Sequence, residues 1–294
     1  MATVRILRPG DEKQLEAFLR LHTETTMFMQ SNLAKAGLED RGERFQGTYA
    51  GVFEGEQLVG AMAHVWNGML LIEARQGLID AVDAVLHASG RAVKGFSGPL
   101  DQVQAARSYL CLDEVPVTLD SDEVLYAMAL EDLRIPPGLT DGSVTVRRAT
   151  EDDLPTLLRW GIDYNLEAIG ADQGDELEAH VEESVRSGLR ENTIWMAFDG
   201  EQAVAQSRFN ATTPHAVQIG GVYTPPEFRS RGYAGCALAQ SLLDAKAEGV
   251  ERTLLFTPED NTPARRCYYG LGYEPIGAFG IVLLREEHMI RPGG

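Results

Sequence analysis

The sequence predicts a mixed α/β fold arranged as two similar domains in tandem, each a mixed twisted sheet flanked by helices. Three observations carry that expectation. Short stretches of the first half recur in the same order in the second. Strands and helices alternate through the later part of the chain, which implies a mixed sheet covered by helices. Between the two halves, Pro136-Pro137-Gly138 and Thr140-Asp141-Gly142-Ser143 interrupt any periodic pattern. A chain of 294 residues, 44% of them hydrophobic, has enough length and apolar content for two cores. The expected domains are residues 1–138 and 139–294.

The recurrences set the elements in order. Val4-Arg5-Ile6-Leu7-Arg8 is followed by Asp11-Glu12 and by Leu15, Phe18 and Leu19; Val144-Thr145-Val146-Arg147-Arg148 is followed by Glu151-Asp152 and by Leu154, Leu157 and Leu158. Each reads as a strand, an acidic helix start and an amphipathic helix. Phe53-Glu54-Gly55-Glu56-Gln57-Leu58-Val59 matches Phe198-Asp199-Gly200-Glu201-Gln202-Ala203-Val204, two strand–turn–strand hairpins. Phe96-Ser97 and Phe256-Thr257 each lead into a helix. A hairpin turn of this type is common by itself; three echoes in one order indicate duplication. Past the breaker run the pattern predicts strand 144–149, helix 151–161 and a helical stretch at 172–188. Strands follow at 193–199, 202–210 and 215–223, then helix 233–248, strand 252–257, helix 262–270 and a last strand near 275–284.

Charge and cysteine usage narrow the class. Lysine and arginine number 26 against 44 acidic residues, a net of −18. A field of that sign repels phosphate backbones and anionic lipid heads, which argues against nucleic acid or a membrane surface as partner. No run approaches the roughly 20 apolar residues of a membrane span. Cys111, Cys236 and Cys267 are odd in number and far apart, without zinc or redox spacing. The first residues enter a strand-like run with no signal-peptide core. The expectation is a reduced, cytoplasmic protein that carries no metal.

The most informative stretch runs from Gln218 to Ala234. An apolar strand ending at Tyr223 gives way to Thr224-Pro225-Pro226-Glu227-Phe228, then to Arg229-Ser230-Arg231-Gly232-Tyr233-Ala234 and a long helical run. A glycine lets backbone approach an anion closely, and a helix start offers unpaired N–H groups and partial positive charge. In an acidic chain, this basic turn is where a phosphate would go. The other reading of these letters alone is a glycine turn flanked by solvated arginines.

Arg229-x-x-Gly232-x-Ala234 resembles the pyrophosphate-binding loop of the GNAT superfamily of acyl-CoA-dependent N-acetyltransferases, whose pattern is [QR]-x-x-G-x-[GA] between a strand and a long helix. About thirty residues on, Asn261-Thr262-Pro263-Ala264-Arg265-Arg266-Cys267-Tyr268-Tyr269-Gly270-Leu271-Gly272-Tyr273 resembles the family's second motif, N-x-x-A-x-x-L-Y-x-x-x-G-[FY], with cysteine in the leucine place. The resemblance covers Val144 to about Leu284 and implies a site. Backbone N–H groups of Arg229, Ser230, Arg231, Gly232, Tyr233 and Ala234 would hold the CoA pyrophosphate. The strand ending Val222-Tyr223-Thr224 would pair with the pantetheine arm, and the Val222 N–H would face the thioester oxygen. Asn261 would hydrogen-bond the cofactor. Tyr268 matches the tyrosine that protonates the departing thiolate, consistent with a phenol pKa near 10 above a thiol's near 8.5.

Where several relatives carry a glutamate as general base, this sequence has Gln218, which cannot take a proton. Either the amine arrives neutral, or water or a group such as His215 relays its proton. Cys236 and Cys267 fall in helices and read as packing residues. Between Asp163 and Glu183 stand eight carboxylates, including Glu167, Asp175 and Glu182, with no Lys or Arg. In the family this region commonly walls the acceptor site, and an acidic wall favours a cationic amine; the alternative is a solvated helix face.

The resemblance implies transfer of an acetyl or other short acyl group from acetyl-CoA to a small-molecule primary amine, by direct attack in a ternary complex. A non-catalytic acyl-CoA-binding or sensor module is the alternative. The first half is expected to keep the fold without the cofactor site. Phe53 and Phe198 lie 145 residues apart and Phe96 and Phe256 lie 160 apart, so the first half is 15 residues shorter across the interval that holds the loop. Asp101 stands at the position of Asn261 and Ser108 at that of Tyr268.

Overall fold

The computed structural model describes residues 2–290. In chain order the elements are β1 (Thr3–Ile6), α1 (Glu12–Leu21), α2 (Thr23–Ala36), β2 (Gly47–Glu54), β3 (Gln57–Val65), β4 (Met69–Glu73), α3 (Leu78–Ser89), β5 (Val93–Pro99), α4 (Leu100–Tyr109) and β6 (Val117–Ala129). They continue with α5 (Pro137–Thr140), β7 (Thr145–Arg148), α6 (Leu154–Tyr164), α7 (Asp175–Arg190), β8 (Ile194–Asp199), β9 (Gln202–Thr212), β10 (Ala216–Tyr223), α8 (Tyr233–Ala247), β11 (Arg252–Pro258), α9 (Thr262–Leu271) and β12 (Glu274–His288). The elements expected after residue 144 are all present, most with ends displaced by three residues or fewer.

The chain divides into two compact units, one running to Val124 and resuming at Gly277, the other Leu125–Ile276. This differs from the single cut expected at 138/139. The breaker run marks a real interruption, but the divide falls inside β6 and again inside β12. The reason is strand pairing: residues of β12 after Gly277 pair antiparallel with β5, Phe279 opposite Pro99 and Leu283 opposite Gly95, while β6 neighbours β11. Hydrophobic periodicity locates a strand but not its partner.

Each unit has the same strand pattern. In the first, β1, β2, β3 and β4 pair antiparallel in sequence order and β4 pairs parallel with β5. In the second, β7, β8, β9 and β10 pair antiparallel and β10 pairs parallel with β11. The ladders slip at matching places, Val52/Phe53 and Ala197/Phe198.

The second unit's helices show how the sequence builds the support for the site. Thr150 and Asp153 form a reciprocal capping box that starts the chain toward α6. Along α7, Leu177, Val181, Val185 and Leu189 recur every four residues and are buried, so its acidic residues face water. They pack with Leu157 and Trp160 of α6, each buried side chain of this size being worth about 1.5–3 kcal/mol. At Gly161 a Cβ would lie 2.6 Å from Val181 Cγ1, so the missing side chain lets the two helices close. Helix α8 is rich in Ala, is buried over much of its surface, and lies against β8 and β9.

Candidate active site

Strand β10 is regular only at its start. Its parallel ladder with β11 covers Ala216–Gln218 opposite Arg252–Leu254. Both strands continue past that point, β10 to Tyr223 and β11 to Pro258. On its other side, the register with β9 shifts between Gly220 and Tyr223, which takes Gly221 and Val222 out of the ladder. Gly221 has φ +56°, and a Cβ there would meet Arg208 Cδ at 2.7 Å, so the bulge requires glycine. The result is a strand end in which Gly221 and Val222 lie outside both ladders before Tyr223 rejoins β9 opposite Gln206. Val222 and Thr224 are half-buried and Tyr223 is buried. The Thr224 Oγ1 is buried without a hydrogen-bond partner.

The turn that follows is shaped by two left-handed residues, Ser230 at φ +62° and Gly232 at φ +82°. Gly232 is the N-cap of α8, and the space where its Cβ would stand is open to at least 4 Å. The first helical bond of α8 runs from the Cys236 N–H to the Gly232 carbonyl, so the N–H groups of Tyr233, Ala234 and Gly235 precede the helix's own ladder. Tyr233 donates its hydroxyl to Asp199, a bond that raises its phenol's pKa and ties the helix start to the end of β8. Arg229 does not extend freely over this turn. Its Nε donates to the Thr224 carbonyl at 2.9 Å, its Nη2 donates to Glu167 at 2.6 Å, and its guanidinium lies 5.9 Å from the Tyr223 ring centre. Burial raises the Tyr223 phenol's pKa, with the Asp163 and Glu167 carboxylates adding to the effect and Arg229 opposing it.

Asn261 is the N-cap of α9: its Oδ1 accepts from the Ala264 N–H at 3.3 Å and its Nδ2 donates to Thr257 Oγ1 at 3.1 Å. Its side chain thus caps the helix from the position that the sequence reading gives to a cofactor contact. Tyr268, two turns later, is 8% exposed. Its ring packs against Tyr273 at 5.9 Å and Tyr126 at 6.2 Å between centres.

In chain order the second unit thus has a bulged strand, a left-handed glycine turn, an open helix start, and tyrosines on α9. The model of the Acetyltransferase (GNAT) family matches residues 158–273, a span that contains every one of them. This span is a GNAT domain. No curated protein matches the chain. Among solved structures, the chain is similar to a tandem GNAT protein from the clavulanic acid biosynthesis pathway, at TM-score 0.55 and 12% identity over 98% of each chain. It is also similar to a GCN5-related N-acetyltransferase from Sphaerobacter thermophilus, at TM-score 0.54 and 16% identity over 100% of this chain and 97% of that one. A GNAT-family acetyltransferase from Colwellia psychrerythraea matches at TM-score 0.51 and 15% identity, covering 97% and 99%. Such likeness shows the fold, and it extends over nearly the whole chain, as a tandem arrangement requires. The family marks the GNAT domain as an acyltransferase.

The residues present fit an anionic acyl-CoA. The GNAT domain offers an open glycine turn, helix-start donors, two arginines nearby in sequence and an orphaned buried hydroxyl at Thr224. Among the described residues no group of three His, Cys, Asp or Glu side chains could hold a metal ion, and no helix is long and apolar enough to cross a membrane.

Three expectations change in detail. Gln218 is 2% exposed; its Nε2 donates to the Ile219 carbonyl at 2.5 Å and its Oε1 has no partner, so it is a buried strand residue with no proton to take. His215 stands in the turn before β10, where its carbonyl accepts from the Glu251 and Arg252 N–H groups. Six residues stand between it and Val222, roughly 20 Å of strand at the usual rise, which puts it at the opposite end of β10 from the bulge. The acidic run splits into two. Glu182 and Glu183 pair with Arg186 and Arg190 along α7, a solvated face, whereas Asp163 and Glu167 act on Tyr223 at the end of β10. Glu167 sits in a π-helical turn, Asn165–Ile169, a local feature that periodicity does not reveal. Burial pushes the Cys236 thiol up and that of Cys267 to about 11, as suits packing residues.

The first unit has the same frame with its opening filled. Gly77 is the left-handed N-cap of α3, as Gly232 is of α8, yet a Cβ there would meet Val52 Cγ1 at 2.9 Å. The Ala74 N–H, just past β4, donates to the buried Gln102 Oε1 at 2.6 Å. A Cβ on Gly98 would lie 2.5 Å from the Ile72 carbonyl, so the ends of β4 and β5 stay in close contact. Ser108 bonds to Asp113, and the exposed Tyr109 donates to Asp83 at 2.8 Å.

Proposed function

We propose that the GNAT domain transfers an acetyl or short acyl group from CoA to a primary amine, by direct attack within a ternary complex. The observation that carries this reading is the open left-handed turn at Gly232 between the bulge of β10 and the start of α8, inside the span that matches the family. Acyl-CoA supplies the thioester carbonyl that the amine attacks. The N–H groups of Tyr233, Ala234 and Gly235, with Arg229 and Arg231, hold the diphosphate. Val222, out of its ladder in the bulge, presents its N–H to the developing oxyanion, a donor of the kind worth about 3–4 kcal/mol in other enzymes. Tyr268 holds a proton at its phenol oxygen for the departing thiolate. Asp163 and Glu167 favour a cationic amine at the end of β10, and in the absence of a strand carboxylate the amine reacts from its neutral fraction, so turnover rises with pH below the amine's own pKa.

The test is thiol release from acetyl-CoA over a panel of amines, run beside calorimetric binding. Amine-dependent release of CoA supports the reading. Tight acetyl-CoA binding with no release from any amine indicates the sensor alternative, a reading favoured only by the buried Gln218.

A further inference from the structure

The phenol of Tyr268 can serve as an acid only if its oxygen is held at a fixed place. That oxygen lies on the χ2 axis, so χ1 alone sets its place, and on a helix χ1 has two open wells, so something must select one. In this chain two buried tyrosines pack on Tyr268. Tyr273, fully buried to 1%, shares a 2.8 Å hydrogen bond with Thr253 and sets its ring edge-on to Tyr268 at 60°. Tyr126 has no exposed surface. Its ring lies 6.2 Å from Tyr268 and 5.7 Å from Tyr269, and its hydroxyl accepts a 3.1 Å bond from Arg265 Nε, one turn earlier on α9. Tyr126 thus grips α9 at three residues, 265, 268 and 269. It stands in β6, before the breaker run and well outside residues 158–273, although its contacts place it in the second unit.

We propose that Tyr126 is a positioning residue for Tyr268: its ring, packed on Tyr268 and Tyr269, fixes the rotamer of the phenol that acts on the leaving thiolate. The first half of the sequence thereby supplies a part that the acyl-transfer site needs. The inference rests on the reading of Tyr268 as the acid, and the experiment separates the two.

The test uses the full chain. In the free protein labelled with 13C,15N-tyrosine, the Tyr268 signals are identified by their loss in Tyr268→Phe. Three-bond N–Cγ and C′–Cγ couplings should report a single χ1 rotamer in the wild type, averaging between wells in Tyr126→Leu and a single rotamer again in Tyr126→Phe. Unchanged couplings in Tyr126→Leu overturn the proposal, and this arm needs no substrate. The kinetic arm uses acetyl-CoA with spermidine, or with whichever panel amine reacts faster. Tyr126→Leu should lower kcat about tenfold, as slight misplacement of a reacting group can, with KM for acetyl-CoA within twofold, and Tyr126→Phe should restore kcat. The double variant Tyr126→Leu/Tyr268→Phe should be no slower than Tyr268→Phe alone; additive losses would mean that Tyr126 acts elsewhere. If Tyr268→Phe itself keeps full turnover, the acid reading fails, and the χ1 couplings still decide whether Tyr126 fixes that rotamer. Should Tyr126→Leu not fold, Tyr126→Met, of similar volume but unbranched and more adaptable, takes its place in both arms.

Discussion

Arg147 holds Asp153 through two parallel bonds, Nη1 to Oδ2 at 2.6 Å and Nη2 to Oδ1 at 2.9 Å, while its guanidinium lies 4.6 Å from the Phe198 ring centre. The same construction recurs in the first unit. Arg5 chelates Asp11 at 2.7 and 2.8 Å and lies 4.5 Å from Phe53. Both arginines are in the first strand of the repeated antiparallel pattern, both aspartates lie six residues on, and both phenylalanines follow the matching ladder slips. Two sequence echoes therefore meet in space as one repeated device, which clamps the strand to the helix start and hairpin.

This device should make stability depend on acid. The bond from Arg5, with the Arg8 N–H, holds the Asp11 carboxyl down to about 2. Burial raises that of Asp153, but Arg147 and the Thr150 N–H outweigh it and the result is lowered. A depressed carboxyl stabilises the fold fully above its unfolded pKa, near 3.9, and that contribution disappears as pH falls toward the folded value. The urea midpoint should drop between pH 5 and pH 2.5, and Arg5→Met should flatten the drop. An equal pH slope in that variant would show that the chelate does not couple to stability.

Replacing the two left-handed N-cap glycines should separate binding from folding. Gly232→Val puts a side chain into open space over the helix start and should abolish acetyl-CoA binding by calorimetry, at a fold cost of about 1–3 kcal/mol from the positive φ. Gly77→Val meets Val52 instead and should destabilise by about that much or more, with acetyl-CoA affinity unchanged. Wild-type affinity in Gly232→Val would count against the cradle.

Glu167 competes with an anionic ligand for Arg229. Both side chains are about half exposed, 52% and 41%, and such pairs are worth at most about 1 kcal/mol, so Glu167→Gln should tighten acetyl-CoA binding by no more than about fivefold. The gain should shrink at high salt. The same change should raise KM for a cationic amine. Weaker acetyl-CoA binding would show that Glu167 supports the turn and does not compete with the ligand.

Titration with acetyl-CoA should saturate near one equivalent per chain. Gln102 occupies the donor past β4, and Gly98 keeps β4 and β5 together, so the first unit lacks the opening that the second has. A second equivalent of similar affinity that survives Gly232→Val would place a site in the first unit.

The sequence by itself determined the elements and the duplication. Strand and helix periods, glycine turns and acidic helix starts are local properties, so β7 through α9 lie close to where the residues put them. It also fixed the loop at Gly232, because a left-handed turn before a helix is written in adjacent residues. What only the tertiary structure decided was pairing. The last strand serves β5, and Tyr126 joins α9, because both depend on which edge is free after the sheet has formed. Asn261 illustrates the same limit within a motif: its spacing is written in the sequence, but that its oxygen caps α9 is seen only in the fold. Asp163, at the end of α6, and Glu167, in the π-turn that follows, separate from the rest of the acidic run only once the fold brings them to Tyr223. Hydrophobic and turn patterns act over a few residues, whereas partners are chosen by close packing among segments far apart in the chain, and no local pattern encodes that choice.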